Sequence, residues 1–258
     1  MGNIRAMLRR NRRVLSLLGT ALAAALILWT VNNPAIVGAS ATERQLPVYC
    51  VQRDDRKIAI SFDAAWGNED TQKLIDILNA FGVRSTFFVV GDWAGKYPES
   101  VKSLHDAGYE VMSHSAHHDH YSMMSSADIA ADLREANRRI FACTAREPTL
   151  IRCPYGEYDD HVIQTIKSLG MTAVQWSVDS LDWKGISADE ICERVLKRIE
   201  PGSIVLFHNA AEHTPEALPR ILSELQAQGY VIVPISELLL EGATCIDHTG
   251  KQIPAAGI

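Results

Sequence analysis

Positive charge is sparse in this sequence once its first thirteen positions are passed. The 258 residues carry 25 Lys and Arg against 31 Asp and Glu, a formal net charge of −6. Because no basic stripe occurs in the remainder of the chain, there is no electrostatic basis for binding nucleic acid. Internal repeats and low-complexity tracts are also missing. The 47% hydrophobic and 22% charged residues fit one globular domain of about 200 residues with an N-terminal addition.

Cysteine is sparse as well, and its odd count leaves at least one of the five unpaired in any disulfide scheme. Cys143, Cys153 and Cys192 show no CxxC spacing, so a cysteine zinc site is not predicted. Cys50 precedes the first predicted core strand and Cys245 follows the last predicted helix. Since domain termini are often close together, a Cys50–Cys245 disulfide is a hypothesis for an exported domain.

The first 31 residues combine a basic start with an apolar run. Five arginines within the first thirteen residues precede the uncharged run from Val14 to Val31. Its 18 residues approach the roughly 20 that span a bilayer as a helix, and the basic start predicts that the chain beyond the run lies outside the cell. We predict a single-pass anchor in the cell membrane, with the chain outside from about Asn32. Ala39-Ser40-Ala41 fits a signal-peptidase site, so secretion after cleavage near Ala41 is the alternative.

The rest of the chain divides into a short linker and a domain. Residues 32–45 are mostly small or polar and form the linker, and residues 46–258 form the domain. From Lys57 onward, short apolar runs alternate with amphipathic stretches of helical length. Strands alternating with helices predict an α/β fold with a parallel sheet. About seven such units fit a distorted (β/α) barrel, closed or nearly closed.

Polar side chains fall at or just after the ends of the predicted strands. The residues in these positions are Asp63, His114, Arg152, Asp179 and His208. In a β/α barrel, the carboxyl ends of the strands converge on one mouth, where catalysis usually takes place. A single one of these residues could be a cap or a satisfied polar group in the core. Five of them at five strand ends predict one active site.

Four histidines lie within the seven residues from His114 to His120. Two of them, His114 and His118, are four residues apart and can bind one divalent metal if the segment turns like a helix. Zinc suits imidazole ligands and lowers the pKa of its bound water to about 7. The alternative is a solvated polar loop. We predict a metal site, with zinc as the ion.

The same segments resemble the five ordered motifs of the NodB-type polysaccharide deacetylases, carbohydrate esterase family 4, between about residues 57 and 240. They are Ser61-Phe62-Asp63-Ala64-Ala65-Trp66-Gly67, His114-Ser115-Ala116-His117-His118, Arg152-Cys153-Pro154-Tyr155, Asp179-Ser180-Leu181-Asp182-Trp183 and Leu206-Phe207-His208. Each motif alone is weak evidence, but five in order are specific. The first motif and the anchor look most like the sporulation-associated deacetylases of endospore-forming bacteria.

The resemblance implies a hydrolase that removes N-acetyl groups from an amino-sugar polymer by metal-assisted general acid–base catalysis. Peptidoglycan of the spore or cell wall is the expected substrate. The resemblance makes Asp63 the general base and His208 the general acid. Arg152 would keep Asp63 ionised, because a nearby cation lowers a carboxylate pKa. Asp182 would orient His208 and favour its protonated form. Amide hydrolysis needs this acid and base whatever the family.

The resemblance also assigns residues to substrate binding. Tyr155 would contribute its backbone N–H to an oxyanion site. Trp183 and Leu206 would shape the pocket that receives the acetyl methyl group. The alternative for Trp183 and Leu206 is packing in the barrel core.

One position departs from the family pattern. The family's second aspartate in the first motif is a metal ligand, and this chain has Ala64 there, which leaves the set with His114 and His118 incomplete. Replacement donors are conceivable, and the candidates besides Asp63 are Glu69, Asp70 and Asp119. The departure keeps a second reading open, that of a weak or inactive glycan-binding homologue in the spore envelope. A barrel enzyme acting on another amide or ester is a third.

Overall fold

The computed structural model describes residues 20–30 and 44–255. The chain divides into two units, residues 1–44 and 45–258. In the first unit, residues 20–30 are helical and largely exposed. Within the described ranges, no helix has both the length and the apolar character needed to cross a membrane. The remainder of the predicted anchor, the Ala39–Ala41 cleavage pattern and most of the predicted linker lie outside the described residues, so these predictions stay predictions.

The second unit alternates strands and helices along the chain. The strands are β1 (Cys50–Val51), β2 (Lys57–Ala64), β3 (Thr86–Val89), β4 (Glu110–Ser113), β5 (Leu150–Ile151), β6 (Thr172–Ala173), β7 (Val178–Asp179), β8 (Ile204–His208), β9 (Val231–Ile232), β10 (Thr244–Ile246) and β11 (Lys251–Pro254). The helices are α1 (Thr71–Ala80), α2 (Gly91–Lys96), α3 (Pro98–Asp106), α4 (Ser126–Thr144), α5 (Asp160–Ser168), α6 (Ala188–Leu196), α7 (Thr214–Ala227) and α8 (Ile235–Leu238). The helix α2 was not predicted from the sequence.

The main sheet is parallel and curled. Its strand order is β6-β5-β4-β3-β2-β8-β7, and β9 pairs with the start of β2. The strands at the two ends of this order, β6 and β7, are joined by residues 174–177, so one short segment reaches both edges of the sheet. The predicted α/β class with about seven parallel strands is confirmed, as a curled sheet consistent with a (β/α) barrel.

The strand β2 lies at the centre of the sheet and shows why the site forms where it does. Its residues Ile58, Ile60 and Phe62 belong to the large apolar cluster beneath the helices, where Phe62 stacks on Phe87 with ring centroids 4.7 Å apart. Because side chains alternate along a strand, Ser61 and Asp63 fall on the other face. The burial of β2 therefore fixes the direction in which Asp63 points.

The predicted Cys50–Cys245 disulfide is wrong. Cys50 lies on β1 and Cys245 on β10, and both strands pair with β11, on its opposite sides, in a separate three-stranded sheet. Two strand spacings place the cysteines about 10 Å apart, whereas a disulfide needs Cα atoms within about 7 Å. Both thiols are free. The cause is this small sheet, which the sequence pattern did not predict.

Candidate active site

The carboxyl ends of the parallel strands surround a cavity of about 410 Å³. Eight of the ten predicted site residues line it, namely Asp63, His114, His118, Tyr155, Asp179, Trp183, Leu206 and His208. The other two, Arg152 and Asp182, are buried behind it and bind two of the lining residues. The structure therefore brings all ten positions together. Their individual chemical roles stay predictions.

Asp63 and Arg152 form a buried ion pair at the base of the cavity. Arg152 Nη1 donates to Asp63 Oδ1 at 2.7 Å, and Nη2 donates to Ser61 Oγ at 2.9 Å. The guanidinium is fully buried and lies 4.3 Å from the centre of the Phe88 ring. Burial by itself would raise the pKa of Asp63, but Arg152 and the nearby histidines hold that pKa below its ordinary value. The carboxylate is therefore ionised and fixed in place.

His208 and Asp182 form the second polar pair. Asp182 Oδ1 contacts His208 Nδ1 at 2.8 Å, and Asp182 Oδ2 accepts the backbone N–H of His208 at 2.8 Å and the hydroxyl of Thr214 at 2.7 Å. Burial alone would lower the pKa of His208, but the hydrogen bond to Asp182 and the charge of Asp63 raise that pKa above its ordinary value. With Nδ1 bound to the carboxylate, Nε2 is the nitrogen left to act in the cavity.

His114 and His118 meet through a loop and not through a helical turn, which corrects the geometry assumed from their spacing. Ser115 and His118 have φ angles of 70° and 62°, in the left-handed region that non-glycine residues rarely adopt. Asp132, on α4, holds the loop by accepting the backbone N–H of Ala116 at 2.9 Å. The two imidazole rings lie edge to face, with centroids 4.9 Å apart.

Both imidazoles are held in the neutral form, which is the form that binds metals. Burial lowers the pKa of His118 to about 4, and the neighbouring His114 adds to the shift. Burial likewise lowers the pKa of His114. The Nδ1 of His114 donates to the carbonyl of Arg152 at 2.7 Å, and its Nε2 lies 3.5 Å from Asp63 Oδ2. His114 and His118 can thus each offer one imidazole nitrogen as a metal ligand.

Ala64 occupies the position of the family's third metal ligand and has no donor atom. Ala64 is 1% exposed and packs in the apolar cluster. Asp70 accepts the N–H of Ala210, Glu69 accepts that of Asn68, and Asp119 is exposed outside the cavity lining. Across residues 20–30 and 44–255, no three His, Cys, Asp or Glu side chains are placed to share one metal ion. The residues present therefore do not fit the family's complete three-residue metal site.

The predicted substrate-binding residues form the walls of the cavity. Tyr155 has a φ of 58° and its ring lies between those of His118 and His120, at centroid distances of 4.5 Å and 4.1 Å. Trp183 is 57% exposed and forms a wall, so the packing alternative does not describe it. Leu206 is almost fully buried, lines the cavity and also belongs to the barrel interior.

Four residues in this region were not predicted from the sequence, and two of them, Gly156 and Trp176, line the cavity beside Tyr155 and Leu206. Trp66 lines the cavity, although it stands within the first quoted motif, three residues after Asp63. Asn209 follows His208 directly and is buried beneath the loop that carries Trp66. A tryptophan placed three residues after the polar end of a predicted strand is a sequence signal that could have identified Trp66. Nothing in the sequence marks Asn209 as its partner.

A parallel α/β scaffold with a buried Asp–Arg pair and a His–Asp pair at one cavity defines a hydrolase of the general acid–base type. A family profile described as "Polysaccharide deacetylase" matches residues 51–174. The chain belongs to this family, the NodB-type deacetylases of carbohydrate esterase family 4. Enzymes of this family generally depend on a divalent metal.

Two curated relatives act on peptidoglycan according to their names. The peptidoglycan-N-acetylmuramic acid deacetylase PdaA of Bacillus subtilis is 30% identical over 207 residues, which are 78% of this chain and 78% of that protein. A peptidoglycan-N-acetylglucosamine deacetylase of Bacillus cereus is 34% identical over 194 residues, covering 73% of this chain and 91% of that protein.

Solved structures include a relative described as a pseudoenzyme. A pseudoenzyme of carbohydrate esterase family 4 from Bacillus anthracis matches with a TM-score of 0.72 and 33% identity, covering 74% of this chain and 68% of that one. A mutant of this pseudoenzyme, described as having restored enzymatic activity, matches with the same TM-score and 34% identity over 74% of this chain and 70% of that one. The family therefore contains both active and inactive members.

Proposed function

We propose that this protein hydrolyses the N-acetyl amide of an amino-sugar polymer, with peptidoglycan as the substrate. The observation that carries the proposal is the pairing at the cavity. Asp63 and His208 line the same cavity, and each is held by one buried partner, Arg152 or Asp182. One carboxylate kept ionised and one imidazole whose pKa is raised are the base and the acid that amide hydrolysis requires.

The reaction follows from these two groups. Asp63 accepts a proton from water while the oxygen of that water attacks the carbonyl carbon of the acetamido group. His208 Nε2 then gives a proton to the sugar nitrogen as the C–N bond breaks, which releases acetate and the free amine. The negative charge on the carbonyl oxygen in between needs a donor, and the backbone N–H of Tyr155 is the predicted one. Leu206 and Trp183 offer apolar contact to the methyl group.

The metal is a separate part of the proposal. His114 and His118 would hold a divalent ion, with zinc as the expected one, and Ala64 leaves that site one protein donor short. No step of the proposed reaction depends on the ion. The basic start and apolar run of the N-terminus support placement of the domain on the outer side of the cell membrane, where peptidoglycan lies. The names of the two relatives from Bacillus species support peptidoglycan as the substrate. A role in the spore rests on the resemblance of the first motif and the predicted anchor.

A second function has its own supporting observations. The alanine at position 64 removes a ligand position, and one of the structural relatives is described as a pseudoenzyme. A chain that binds glycan in the same cavity without cleaving it would be an inactive homologue of the cell or spore envelope. The deacetylase would release acetate from peptidoglycan, whereas the glycan-binding homologue would bind peptidoglycan and release none.

The deciding experiment is acetate release from purified peptidoglycan by the full chain, with and without added zinc. We expect release by the wild type and a fall of about 10²-fold or more in Asp63→Asn and in His208→Ala. Asp106→Asn is the matched control, because Asp106 is an exposed carboxylate paired with Lys102 at the surface. Unchanged release in either site variant would refute the proposed roles. Saturable peptidoglycan binding without acetate from the wild type would select the second function.

A further inference from the structure

The turn that carries Tyr155 has a strained backbone. Tyr155 and Gly156 have φ angles of 58° and 68°, so two successive residues lie in the left-handed region. For a tyrosine this conformation costs about 1–3 kcal/mol, and it persists only where the surrounding structure holds it. The proposed reaction places the backbone N–H of Tyr155 at the carbonyl oxygen of the substrate. The reaction therefore depends on whatever holds this turn.

Gln175 holds the turn from its buried side. This residue lies between β6 and β7 and is 2% exposed, and its Nε2 donates to the carbonyl of Gly156 at 3.1 Å. A Cβ atom at position 156 would lie 3.0 Å from the Trp176 ring and 3.5 Å from Gln175 Oε1, so residues 175–176 pack directly on the turn. The chain needs a glycine at position 156 both for its φ angle and for this close approach.

The main chain of Gln175 contacts the partner of the proposed base. Its carbonyl accepts from Arg152 Nη2 at 3.1 Å, while Arg152 Nη1 binds Asp63. Its N–H donates to the carbonyl of Val48 at 2.7 Å. Because both backbone groups are bonded, the side chain of Gln175 reaches Gly156 from a fixed position. One residue thus joins the Asp63–Arg152 pair to the turn that carries Tyr155.

Packing does not explain why residue 175 is an amide. In the described part of the chain, the buried Oε1 of Gln175 has no hydrogen-bond partner. A buried acceptor left unpaired costs about 1–3 kcal/mol, which an apolar side chain of similar size would avoid. Stability alone therefore gives no reason for an amide at this position. The bond from Nε2 to Gly156 gives one.

We infer that Gln175 is a positioning residue for the deacetylation step, because its Nε2 holds the turn that aims the N–H of Tyr155 at the substrate. This inference rests on the proposed function for the reaction that the turn serves. Gln175 does not line the catalytic cavity, so it acts through the turn. The charge on the carbonyl oxygen exists only in the transition state. Loss of the support should therefore lower kcat and leave KM unchanged.

The test is Gln175→Met in the full chain, since methionine has a similar length but cannot donate to Gly156. With peptidoglycan as the substrate, we expect kcat for acetate release to fall about tenfold or more, with KM within about twofold of the wild type. The melting temperature should stay within about 4 °C of the wild type, because the unpaired Oε1 is removed together with the bond.

Gln252→Met is the matched control. Gln252 is also buried, and its side chain bonds to Leu240 and Thr244 beside the small sheet. It takes no part in the site, so this variant should keep the wild-type kcat even where it loses stability.

Amide exchange tests the support of the turn without turnover. The N–H groups of Gly156 and Glu157 donate to the carbonyls of Cys153 and Pro154 at 3.1 Å and 3.0 Å, so their exchange reports the opening of the turn. We expect exchange at both to be about tenfold faster in Gln175→Met and unchanged in Gln252→Met.

Unchanged exchange at Gly156 and Glu157 in Gln175→Met would refute the support of the turn by Gln175. Faster exchange with a wild-type kcat would refute its part in the reaction. A wild-type chain that releases no acetate would refute the deacetylase itself, and exchange would still decide whether Gln175 holds the turn.

Discussion

The carboxylate of Asp182 binds His208 twice, once at the ring and once at the backbone of the same residue. Oδ1 contacts Nδ1 and Oδ2 accepts the main-chain N–H, each at 2.8 Å. The side chain therefore fixes both the end of β8 and the ring that emerges from it. It also leaves Nε2 directed to the cavity, which is the nitrogen that a general acid needs.

The first prediction concerns this pair. In Asp182→Asn, the pKa of His208 falls because a negative partner is removed. The protonated acid exists below its pKa, so the alkaline limb of the kcat/KM profile should move to lower pH, with a loss of about 10²-fold or more near pH 7. Thr214→Val removes one hydrogen bond to Asp182 but keeps its charge, and the limb should stay close to its wild-type position. A limb that does not move in Asp182→Asn would show that His208 is not the acid.

The second prediction is the pH dependence of stability from the Asp63–Arg152 pair. The pKa of Asp63 in the folded chain lies below its ordinary value of 3.8, so the pair stabilises the fold above pH 3.8. That stabilisation is lost as the pH falls through the lowered pKa. Arg152→Met leaves the buried carboxylate without its cation, and we expect this to lower the free energy of unfolding by about 3–5 kcal/mol near neutral pH.

The sign of the pH dependence reverses in that variant. Burial then raises the pKa of Asp63 above 3.8, so the variant recovers stability as acid neutralises the carboxyl group. Urea denaturation between pH 3 and 7 measures the free energy of unfolding of the wild type and of Arg152→Met. Arg84→Met, which breaks the exposed pair with Glu237, serves as the control and should cost much less. Parallel curves for Arg152→Met and the wild type would contradict the buried pair.

Much of the site could be predicted because it lies where strong local patterns end. β2 is a continuous buried run, so Asp63 at its end could be placed from the sequence, and Leu206 and His208 follow in the same way from β8. The conformation of the loop from His114 to His118 could not be predicted. It depends on Asp132, a residue on another element whose contact with Ala116 leaves no trace in the local pattern.

The elements that were missed are those with weak local signals. The strands β10 and β11 are short and mostly half-exposed, so they show no clear alternation of apolar and polar residues. Because these strands were not predicted, Cys50 and Cys245 were expected to lie close together at the two ends of the domain. The packing of Trp66 on one side by His118 and underneath by Asn209 likewise joins segments more than 50 and 140 residues apart.

The third prediction concerns the missing ligand at Ala64. Ala64→Asp introduces a carboxylate at a buried position, and we expect it to destabilise the metal-free chain by about 1–3 kcal/mol or more. Zinc should then raise the melting temperature of this variant more than that of the wild type, because the family resemblance makes position 64 the third metal ligand beside His114 and His118. Ala64→Asn has the same shape and carries no charge, so it should lose stability without the larger response to zinc. Equal zinc responses in the two variants would show that position 64 does not reach the metal.

The last prediction concerns Asn209, whose side chain joins the end of β8 to the loop that carries Trp66. Asn209→Asp keeps an acceptor for the N–H of Ala65 but cannot donate to the carbonyls of Trp66 and Gly67, and it adds a buried charge facing them. We expect a loss of about 1–3 kcal/mol of stability and faster amide exchange at residues 65–67. Asn79→Asp is the control, since Asn79 is exposed and its side-chain oxygen accepts from Tyr109, a role that a carboxylate retains. Because Trp66 would lose its support while Asp63 and His208 keep theirs, binding of peptidoglycan should weaken more than turnover at saturation slows. A loss of turnover alone would assign Asn209 to the catalytic step instead.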